Sequence, residues 1–223
     1  MSLPTTHSDT DPPSFENRTI GDVQVLDRLG EGGRSGVYNA IWNGQQVALK
    51  IYKLSALERH ARKHPVRLEE FEYSRNLAFY EAPGMARYVA RPYGTLVVDD
   101  VRGFMQERLD GELYYFYYRR HEGKLPPSLF EHVRQMVKLF HEAELYDVDL
   151  HSMNVMVVED SDGQPIPKLF DFNLIPFNVR PPNPLLGVLL KLGLMSPRAR
   201  DLRKLKNFHN FERVERKLLK FYE

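Results

Sequence analysis

Two neighbouring segments near the start of the chain carry residues suited to holding phosphate. One is the glycine-rich stretch Gly30–Val37, and the other is Lys50, which closes the apolar run Val47–Leu49. Glycines at Gly30 and Gly32 would let the backbone approach phosphate oxygens closely. Taken alone, such a stretch is more often a plain tight hairpin, and the alternative for Lys50 is a surface lysine at the end of a strand. The position of the stretch, two strands before the lysine, favours the phosphate site.

Carboxylate and amide side chains recur at set spacings in the later half of the chain. Asp149 precedes Asn154 by five residues, and Asp171 follows the apolar pair Leu169-Phe170. Asp147 is a second candidate for a catalytic carboxylate, but a serine rather than an asparagine stands five residues after it. Phosphoryl transfer depends on positioning and charge neutralisation more than on covalent chemistry by the protein. Together with the glycines and the lysine, these residues indicate phosphoryl-transfer chemistry.

An antiparallel sheet followed by a helix is needed to position the first two segments. Asn43-Gly44 is a strong two-residue hairpin turn, because both of its positions favour positive φ. The segment 54–80 reads as helical, with a break near Pro65. Alternating apolar residues predict five strands, namely Val23–Leu29, Val37–Trp42, Gln45–Tyr52, Tyr93–Val98 and Val101–Gln106.

The later carboxylates are predicted to lie on loops between a helix and two short strands. Residues Ser128–Glu131 form a capping-box pattern ahead of apolar residues at helical spacing, and this helix would support a loop from Tyr146 to Asn154. Short strands are predicted at Val155–Val158 and Ile166–Phe170. The segment Pro197–Glu223 is predicted to form one amphipathic basic helix.

In this order and at these spacings, the segments resemble the motifs of the protein-kinase superfamily. The resemblance runs from about Val23 to Phe172. It implies an α+β fold, namely a reduced two-lobed protein-kinase-like fold whose antiparallel-sheet N-lobe carries one helix and whose helical C-lobe is truncated. The predicted boundaries are a disordered tail at 1–18, an N-lobe with the glycine-rich loop at 19–108, and a C-lobe with the catalytic loop and a basic C-terminal helix at 109–223.

The resemblance also implies catalytic roles for three side chains. Lys50 would contact the α and β phosphates of ATP and pair with a carboxylate from the helix that follows. Glu69, Glu70 and Glu72 compete for that pairing. We choose Glu72, because it lies nearest the apolar part of the helix. Asp149 would orient the acceptor hydroxyl and accept its proton.

The remaining implied roles concern ATP and Mg²⁺. Asn154 and Asp171 would hold Mg²⁺. The residues expected to contact the nucleotide line the glycine-rich loop, the lysine strand and the connection between the lobes, and they are Gly30, Gly32, Ser35, Val37, Ala48, Lys50 and Glu107.

The chain departs from the usual kinase pattern at three positions. Asp147-Val148 stands where protein kinases have His-Arg, so a phosphorylated activation loop would lack its usual basic receiver. His151 stands where protein Ser/Thr kinases usually have lysine and resembles aminoglycoside-type and other atypical kinases. A histidine that satisfies a loop carbonyl is the alternative for His151. Asn173 replaces the usual glycine after Asp171 and Phe172.

Only 52 residues follow Asp171, and they contain no Ala-Pro-Glu element. The outline resembles minimal bacterial kinases: small PhoP-regulated kinase-like proteins, lipopolysaccharide-core sugar kinases and Rio-type kinases. The resemblance implies an ATP- and Mg²⁺-dependent phosphotransferase acting on a hydroxyl, with protein Ser/Thr ahead of an envelope sugar. A nucleotide-binding regulatory module without turnover, similar to a pseudokinase, is the alternative.

Composition and charge bound the remaining classes of function. The net charge of +1 argues against a general nucleic-acid binder, and the absence of cysteine excludes disulfides and thiol catalysis. No apolar run approaches ~20 residues, so we expect a cytoplasmic protein, with contact at the periphery of the inner membrane as an alternative. Residues 180–223 carry 11 Lys or Arg against 4 Asp or Glu. The basic helix could meet an anionic surface or simply cap the reduced lobe. The residues predicted to form its polar side are Arg200, Arg203, Lys204, Arg213, Arg216 and Lys217.

Overall fold

The structure, a computed structural model, describes residues 14–172, 184–211 and 215, and these ranges contain nine strands and six helices. The strands are β1 (Thr19–Ile20), β2 (Val23–Glu31), β3 (Ser35–Trp42), β4 (Gln45–Tyr52), β5 (Pro92–Val98), β6 (Val101–Glu107), β7 (Gly111–Leu113), β8 (Val155–Glu159) and β9 (Pro165–Leu169). The helices are α1 (Leu54–Ala61), α2 (Leu68–Glu81), α3 (Tyr114–Arg120), α4 (Pro127–Glu142), α5 (Pro184–Lys191) and α6 (Pro197–Lys206). None of these described helices combines the length and the apolar character that a membrane span requires.

The glycine-rich segment and Lys50 lie in an antiparallel six-stranded sheet with the order β1-β2-β3-β4-β6-β5. Between β3 and β4, Asn43 and Gly44 have φ values of 51° and 74°. Positive φ at both positions is what a two-residue type I′ hairpin needs, so the predicted turn is confirmed. The predicted bounds of the strand that carries Lys50, Gln45–Tyr52, are those of β4.

The two faces of this sheet have different surroundings, because successive side chains of a strand point to opposite faces. On one face, Ala40, Leu49 and Met105 join an apolar core that is closed to solvent. The opposite face carries Val37 and Lys50, which are direct cross-strand partners on β3 and β4. The sheet therefore turns the lysine away from its own apolar core.

Helix α2 covers part of the lysine-bearing face. The chain leaves helical structure around Pro65, as predicted, and α2 then packs against β5 and β6. Its buried side is unusual in composition because three of its five buried residues are polar: Leu68, Glu69, Glu72, Asn76 and Phe79. Buried polar groups need hydrogen-bond partners, so this helix must meet donors on the sheet.

A second sheet and helix α4 complete the structure around a larger apolar core. The second sheet has the order β7-β8-β9 and is antiparallel. Buried residues of α4, among them Leu129, Met136 and Phe140, pack with Leu169 at the end of β9. The backbone of Leu169 also exchanges hydrogen bonds with Tyr88 and Ala90 ahead of β5, at 2.8 and 3.0 Å. The strand that leads to Asp171 is thus tied to the first sheet.

Helix α4 begins in a different way from the prediction. Its first residue is Pro127, the residue before it is Pro126, and no side chain caps the end. Ser128 lies inside the first turn, so the predicted Ser128–Glu131 capping box is wrong. Proline at the first helical position has the φ that a helix needs and lacks an N–H that would require a partner.

The basic C-terminal segment is not one continuous helix. Helix α6 ends at Lys206, and a turn at 207–210 redirects the chain. Phe208 and Phe211 are then buried against aromatic rings that include Tyr114 and Tyr115. The prediction of a single helix from Pro197 to Glu223 is therefore wrong at this turn, because aromatic burial overrides local helix preference. Residues 212–214 and 216–223 lie outside the described ranges.

Part of the predicted N-terminal tail contacts the sheet. The ring of Phe15 meets the ring of Tyr38 edge-on at 6.0 Å, and the backbone N–H of Asn17 donates to the carbonyl of Leu26 at 3.1 Å. Residues 14–18 are thus part of the folded structure, because an aromatic residue gives this short polar segment something to bury.

Candidate active site

Lys50 joins two carboxylates that come from distant parts of the chain. Its Nζ donates to Oε1 of Glu72 on α2 at 2.7 Å and to Oδ1 of Asp171, beyond β9, at 3.2 Å. Glu72 is buried, whereas the Asp171 side chain is 47% exposed. The structure therefore brings together three residues predicted to share a site, with Asp171 on the open side.

Among the competing glutamates, only Glu72 contacts Lys50 within the part of the chain that the structure describes. Glu69 is also buried, but it faces the guanidinium of Arg102 on β6 at 3.8 Å. Glu70 lies on the exposed side of the helix, 3.9 Å from Arg67. The spacing of three residues between Glu69 and Glu72 puts both on one face, and the register of the sheet decides which of them meets the lysine.

Tyr52, two residues after Lys50 on the same face of β4, completes the surroundings of Glu72. Its hydroxyl donates to Oε2 of Glu72 at 2.5 Å. Burial raises the pKa of Tyr52 well above its ordinary value, and the negative charge of Glu72 raises it further. The tyrosine therefore stays protonated and acts as a fixed donor.

The charge of Lys50 is secured by its partners. Burial of the ammonium group lowers its pKa, but the carboxylates of Glu72 and Asp171 outweigh that effect and raise the pKa of Lys50 above its ordinary value. A raised pKa of this kind contributes stability at every pH below the ordinary lysine value, and the contribution is lost only as the pH rises through the folded-state value. At neutral pH Lys50 therefore carries its full positive charge.

The glycine-rich loop lies between β2 and β3 and is closed by one hydrogen bond, from the N–H of Gly32 to the carbonyl of Ser35 at 2.8 Å. A Cβ atom added at Gly30 or Gly33 would meet no other atom within 4 Å. Protein packing therefore does not require glycine at either position. Open space beside a glycine backbone is what close approach of a phosphate group would need.

The other residues predicted to contact the nucleotide have different surroundings. Val37 and Ala48 lie on the same sheet face as Lys50, as their alternation with the core residues requires. Ser35 is buried at the start of β3. The carboxylate of Glu107 is already held by Nζ of Lys168, at 2.6 and 2.8 Å, and by the N–H of Arg91 at 3.0 Å. Glu107 thus links the two sheets through its side chain.

Asp149 lies in the Tyr146–Asn154 loop, here called the Asp149 loop, whose backbone is strained. Asp147 and Asp149 both have positive φ, 58° and 49°, which few residues other than glycine adopt. Nδ2 of Asn154 donates to the carbonyl of Asp149 at 3.1 Å and lies 3.4 Å from its Oδ2. The carbonyl of Asn154 in turn accepts from the N–H of Phe170 at 3.2 Å, just before Asp171. Hydrogen bonds thus connect Asp149 to Asn154, and Asn154 to the backbone next to Asp171.

Helix α6 supports the Asp149 loop through hydrogen bonds to its backbone. Asp201 is fully buried and accepts hydrogen bonds from the N–H groups of Asp147, at 2.8 Å, and Val148, at 3.3 Å. Nη2 of Arg75 on α2 donates to the carbonyl of Tyr146 at 3.1 Å. Backbone strain persists only where surrounding structure supports it, and here α2 and α6 supply that support.

Two basic residues of α6 face the loop rather than solvent. Arg200 pairs with Asp147 at 2.9 Å, and Nζ of Lys204 donates to Oδ1 of Asp149 at 2.8 Å. These two members of the predicted polar side therefore form ion pairs within the protein. Burial raises the pKa of Asp149, but the Lys204 ammonium and its hydrogen bond outweigh burial and lower the pKa below its ordinary value, with smaller help from His151 and Arg200.

The residue after Asp171 anchors the site to the core. The ring of Phe172 stacks on Phe79 of α2, with centroids 4.3 Å apart, and meets Phe140 of α4 edge-on at 6.3 Å. This packing anchors the backbone next to Asp171 against α2 and α4. Asn173, which stands where protein kinases usually have glycine, lies outside the described residues.

The residues predicted to hold Mg²⁺ are suited to it chemically. The described residues contain no group of three or more acidic, histidine or cysteine side chains that could hold a metal on their own. Mg²⁺ commonly binds through one or two carboxylates together with substrate phosphates. Asp171 is partly exposed, and both hydrogen bonds of the Asn154 side chain use its nitrogen and not its oxygen. These two residues therefore fit an ion that arrives with a nucleotide.

Four residues of the site were missed by the sequence analysis: Tyr52, Arg75, Asp201 and Lys204. Each acts across a sequence separation that no local pattern reveals. The one available signal was Asp201, the single acidic residue among the basic residues of α6. A lone charge of opposite sign in such a helix indicates a specific partner.

Comparison with known proteins supports the architecture. No protein-family model and no curated protein sequence matches the chain. Among solved structures, a double mutant of the PknI kinase domain of Mycobacterium tuberculosis matches with a TM-score of 0.56 at 18% identity, covering 86% of this chain and 75% of that one. A single mutant of the same domain gives 0.54 at 17% identity, over 85% and 72%. The chain has a protein-kinase-like fold.

A third solved structure has the same fold and a bound nucleotide analogue. Rad53 residues 1–466 in complex with AMP-PNP match with a TM-score of 0.53 and 18% identity. The match covers 68% of this chain, which spans only 39% of the Rad53 chain. At these identities the likeness establishes the protein-kinase-like fold, in the reduced form that the sequence predicts. Any chemical activity must be argued from the residues of the site.

Proposed function

We propose that the protein is an ATP- and Mg²⁺-dependent phosphotransferase that moves the γ-phosphoryl group of ATP to a hydroxyl. The observation that carries the proposal is the contact of one ammonium group, on Lys50, with carboxylates of both Glu72 and Asp171. That arrangement places a fixed cation and a partly exposed carboxylate at one point, as phosphate and magnesium binding requires. The open space beside Gly30 and Gly33 agrees with a phosphate lying against the glycine-rich loop.

Each side chain of the site has a separate proposed role in phosphoryl transfer. Lys50, held by Glu72, neutralises charge on the α and β phosphates. Asp149 accepts the proton of the acceptor hydroxyl while that oxygen bonds to the γ-phosphorus and the bond to the β-phosphate oxygen breaks, releasing ADP. Asn154 and Asp171 would hold Mg²⁺, which when bound neutralises charge across the phosphates. Val37 and Ala48 supply the apolar surface on which the adenine ring of ATP packs.

The acceptor is proposed by class. A serine or threonine hydroxyl of a protein is our first candidate, and an envelope sugar of the lipopolysaccharide-core type is the alternative. The minimal bacterial kinases that the sequence resembles suggest both acceptor classes. We propose a cytoplasmic location, with contact at the periphery of the inner membrane as the alternative.

A second candidate function is favoured by one contact. Lys204 occupies one oxygen of the proposed general base, Asp149, at 2.8 Å. If that bond withheld Asp149 from the acceptor hydroxyl when nucleotide binds, the protein would be a nucleotide-binding regulatory module without turnover.

The decisive experiment is incubation with γ-labelled ATP and Mg²⁺, alone and with cell extract. Transfer of label by the wild type, with loss in Asp171→Ala and in Asp149→Ala, is the expected result. The two variants should differ in Mg-ATP binding, which Asp149→Ala keeps and Asp171→Ala loses. A thermal-shift assay measures that binding, because a ligand specific for the native state raises its stability. Wild-type protein that binds Mg-ATP but transfers no label would favour the regulatory module.

A further inference from the structure

The Asp149 loop has its nearest cation outside its own sequence. His151, where a loop lysine would be expected, uses Nδ1 to accept a hydrogen bond from the N–H of Met153 at 3.2 Å. The ammonium group in contact with the Asp149 carboxylate belongs instead to Lys204 of α6, 55 residues along the chain. A different element has therefore placed a lysine beside the proposed general base.

Lys204 is held in this place by the way α6 docks. Asp201 lies three residues earlier, so the two side chains project from one side of the helix. Asp201 is fully buried and accepts hydrogen bonds from the backbone N–H groups of Asp147 and Val148. An exposed lysine loses side-chain entropy when it forms such a pair, which weakens the pair. Lys204 has only 22% of its side chain exposed, so packing already restricts its motion. Its position is thus fixed by the fold.

The second oxygen of Asp149 faces a different donor. Oδ2 lies 3.4 Å from Nδ2 of Asn154, while Oδ1 accepts from Lys204 at 2.8 Å. Donors on both sides leave the carboxylate one orientation. A general base must lie within hydrogen-bond reach of the proton that it takes, and a fixed orientation meets that requirement in advance.

We propose that Lys204 is a positioning residue for phosphoryl transfer, which supplies from α6 the lysine that the Asp149 loop lacks and holds the Asp149 carboxylate in its working orientation. This inference rests on the proposed function. It assigns α6 a part in the chemistry in addition to its packing.

One test measures the pair without any need for turnover. Urea unfolding of the wild type, Asp149→Asn, Lys204→Met and the double variant gives a double-mutant cycle. We expect the double variant to be less destabilised than the sum of the two single variants. Methionine keeps most of the aliphatic length of Lys204, so the variants should fold. Additive effects would show that the pair does not form in solution and would overturn the proposal.

A second test measures the consequence for catalysis. The rate of phosphate release from Mg-ATP, with water as acceptor, is compared for the wild type, Lys204→Met, Lys204→Arg and Lys206→Met, the last being an exposed residue of the same helix. We expect Lys204→Met to lower kcat by about 10- to 100-fold, the range for a hydrogen bond to a charged group, with KM for ATP nearly unchanged. Lys204→Arg should restore most of the rate, and Lys206→Met should behave as the wild type.

The remaining outcomes separate the inference from the function on which it rests. An equal or faster rate in Lys204→Met would overturn the proposal, because the lysine would then restrain the base. A wild type that releases and transfers no phosphate would contradict the proposed function, while coupling in the double-mutant cycle would still support the pairing of Lys204 with Asp149.

Discussion

The Glu72 carboxylate shows how single residues set the geometry of this site. It is buried, and each of its oxygens has its own donor, Lys50 on one and Tyr52 on the other. A buried charge is tolerated only when it is paired and hydrogen-bonded. Because both donors come from one face of β4, Glu72 is fixed relative to the strand, and Lys50 is fixed in turn.

Removing the Tyr52 hydroxyl should loosen this arrangement while the ring remains. A hydrogen bond to a charged group contributes about 1.5–3 kcal/mol, and Tyr52→Phe leaves one oxygen of Glu72 without its donor. We expect the free energy of unfolding in urea to fall by about 1–2 kcal/mol and the transfer rate to fall by about 10-fold.

The control for Tyr52→Phe is Tyr73→Phe, whose ring packs near Phe104 of the same sheet. It should change neither quantity measurably. A Tyr52→Phe variant with wild-type stability and rate would show that Lys50 alone positions Glu72.

At the scale of elements, local pattern located the strands but not the contacts between distant segments. The Asn43-Gly44 turn and the alternation around Lys50 were sufficient to predict β4 to the residue. Lys204 and Arg200 were assigned only to the polar side of a basic helix, because amphipathicity cannot distinguish a solvated charge from one whose partner lies some 50 residues away. Their partners became visible only when α6 was placed against the Asp149 loop.

The support that α6 gives to the Asp149 loop leads to a stability prediction at Asp201. Asp201→Ala would leave the N–H groups of Asp147 and Val148 without acceptors in a buried place. Unsatisfied buried donors cost about 1–3 kcal/mol each, so we expect the free energy of unfolding to fall by about 2–4 kcal/mol in urea denaturation.

The matched control on the same helix is Arg203→Ala, an exposed position that should stay within about 0.5 kcal/mol of the wild type. If the two variants unfolded alike, the loop would be held by other contacts, such as that from Arg75.

At the scale of the whole molecule, the two sheets are joined close to the proposed site. Leu169 pairs through its backbone with the segment before β5, and Lys168 binds the carboxylate of Glu107. Phe172 then stacks on α2. Asp171 leaves β9 between these contacts, so its contact with Lys50 depends on the first sheet, the second sheet and α2 together.

Removing residues 197–223 tests whether the basic C-terminal segment supports the fold or docks a partner. The deletion removes Asp201 and the buried rings of Phe208 and Phe211. Each large apolar side chain contributes about 1.5–3 kcal/mol on burial, so the total loss is comparable with the whole stability of a typical domain, about 5–15 kcal/mol. We therefore expect the truncated chain to lose its cooperative unfolding transition and its thermal stabilisation by Mg-ATP.

The control for the deletion keeps every buried contact and removes only exposed charge: the full chain carrying Arg203→Ala and Lys206→Ala. This variant should unfold like the wild type. Its sedimentation with anionic vesicles, at low and high salt, is compared with that of the wild type. A truncated chain that still folds and binds Mg-ATP, together with salt-sensitive vesicle binding that the double substitution weakens, would contradict the supporting role and identify the segment as a docking surface. Since Arg200 and Lys204 already pair with the Asp149 loop, fewer basic side chains remain for a membrane than the sequence suggests, and we expect loss of folding instead.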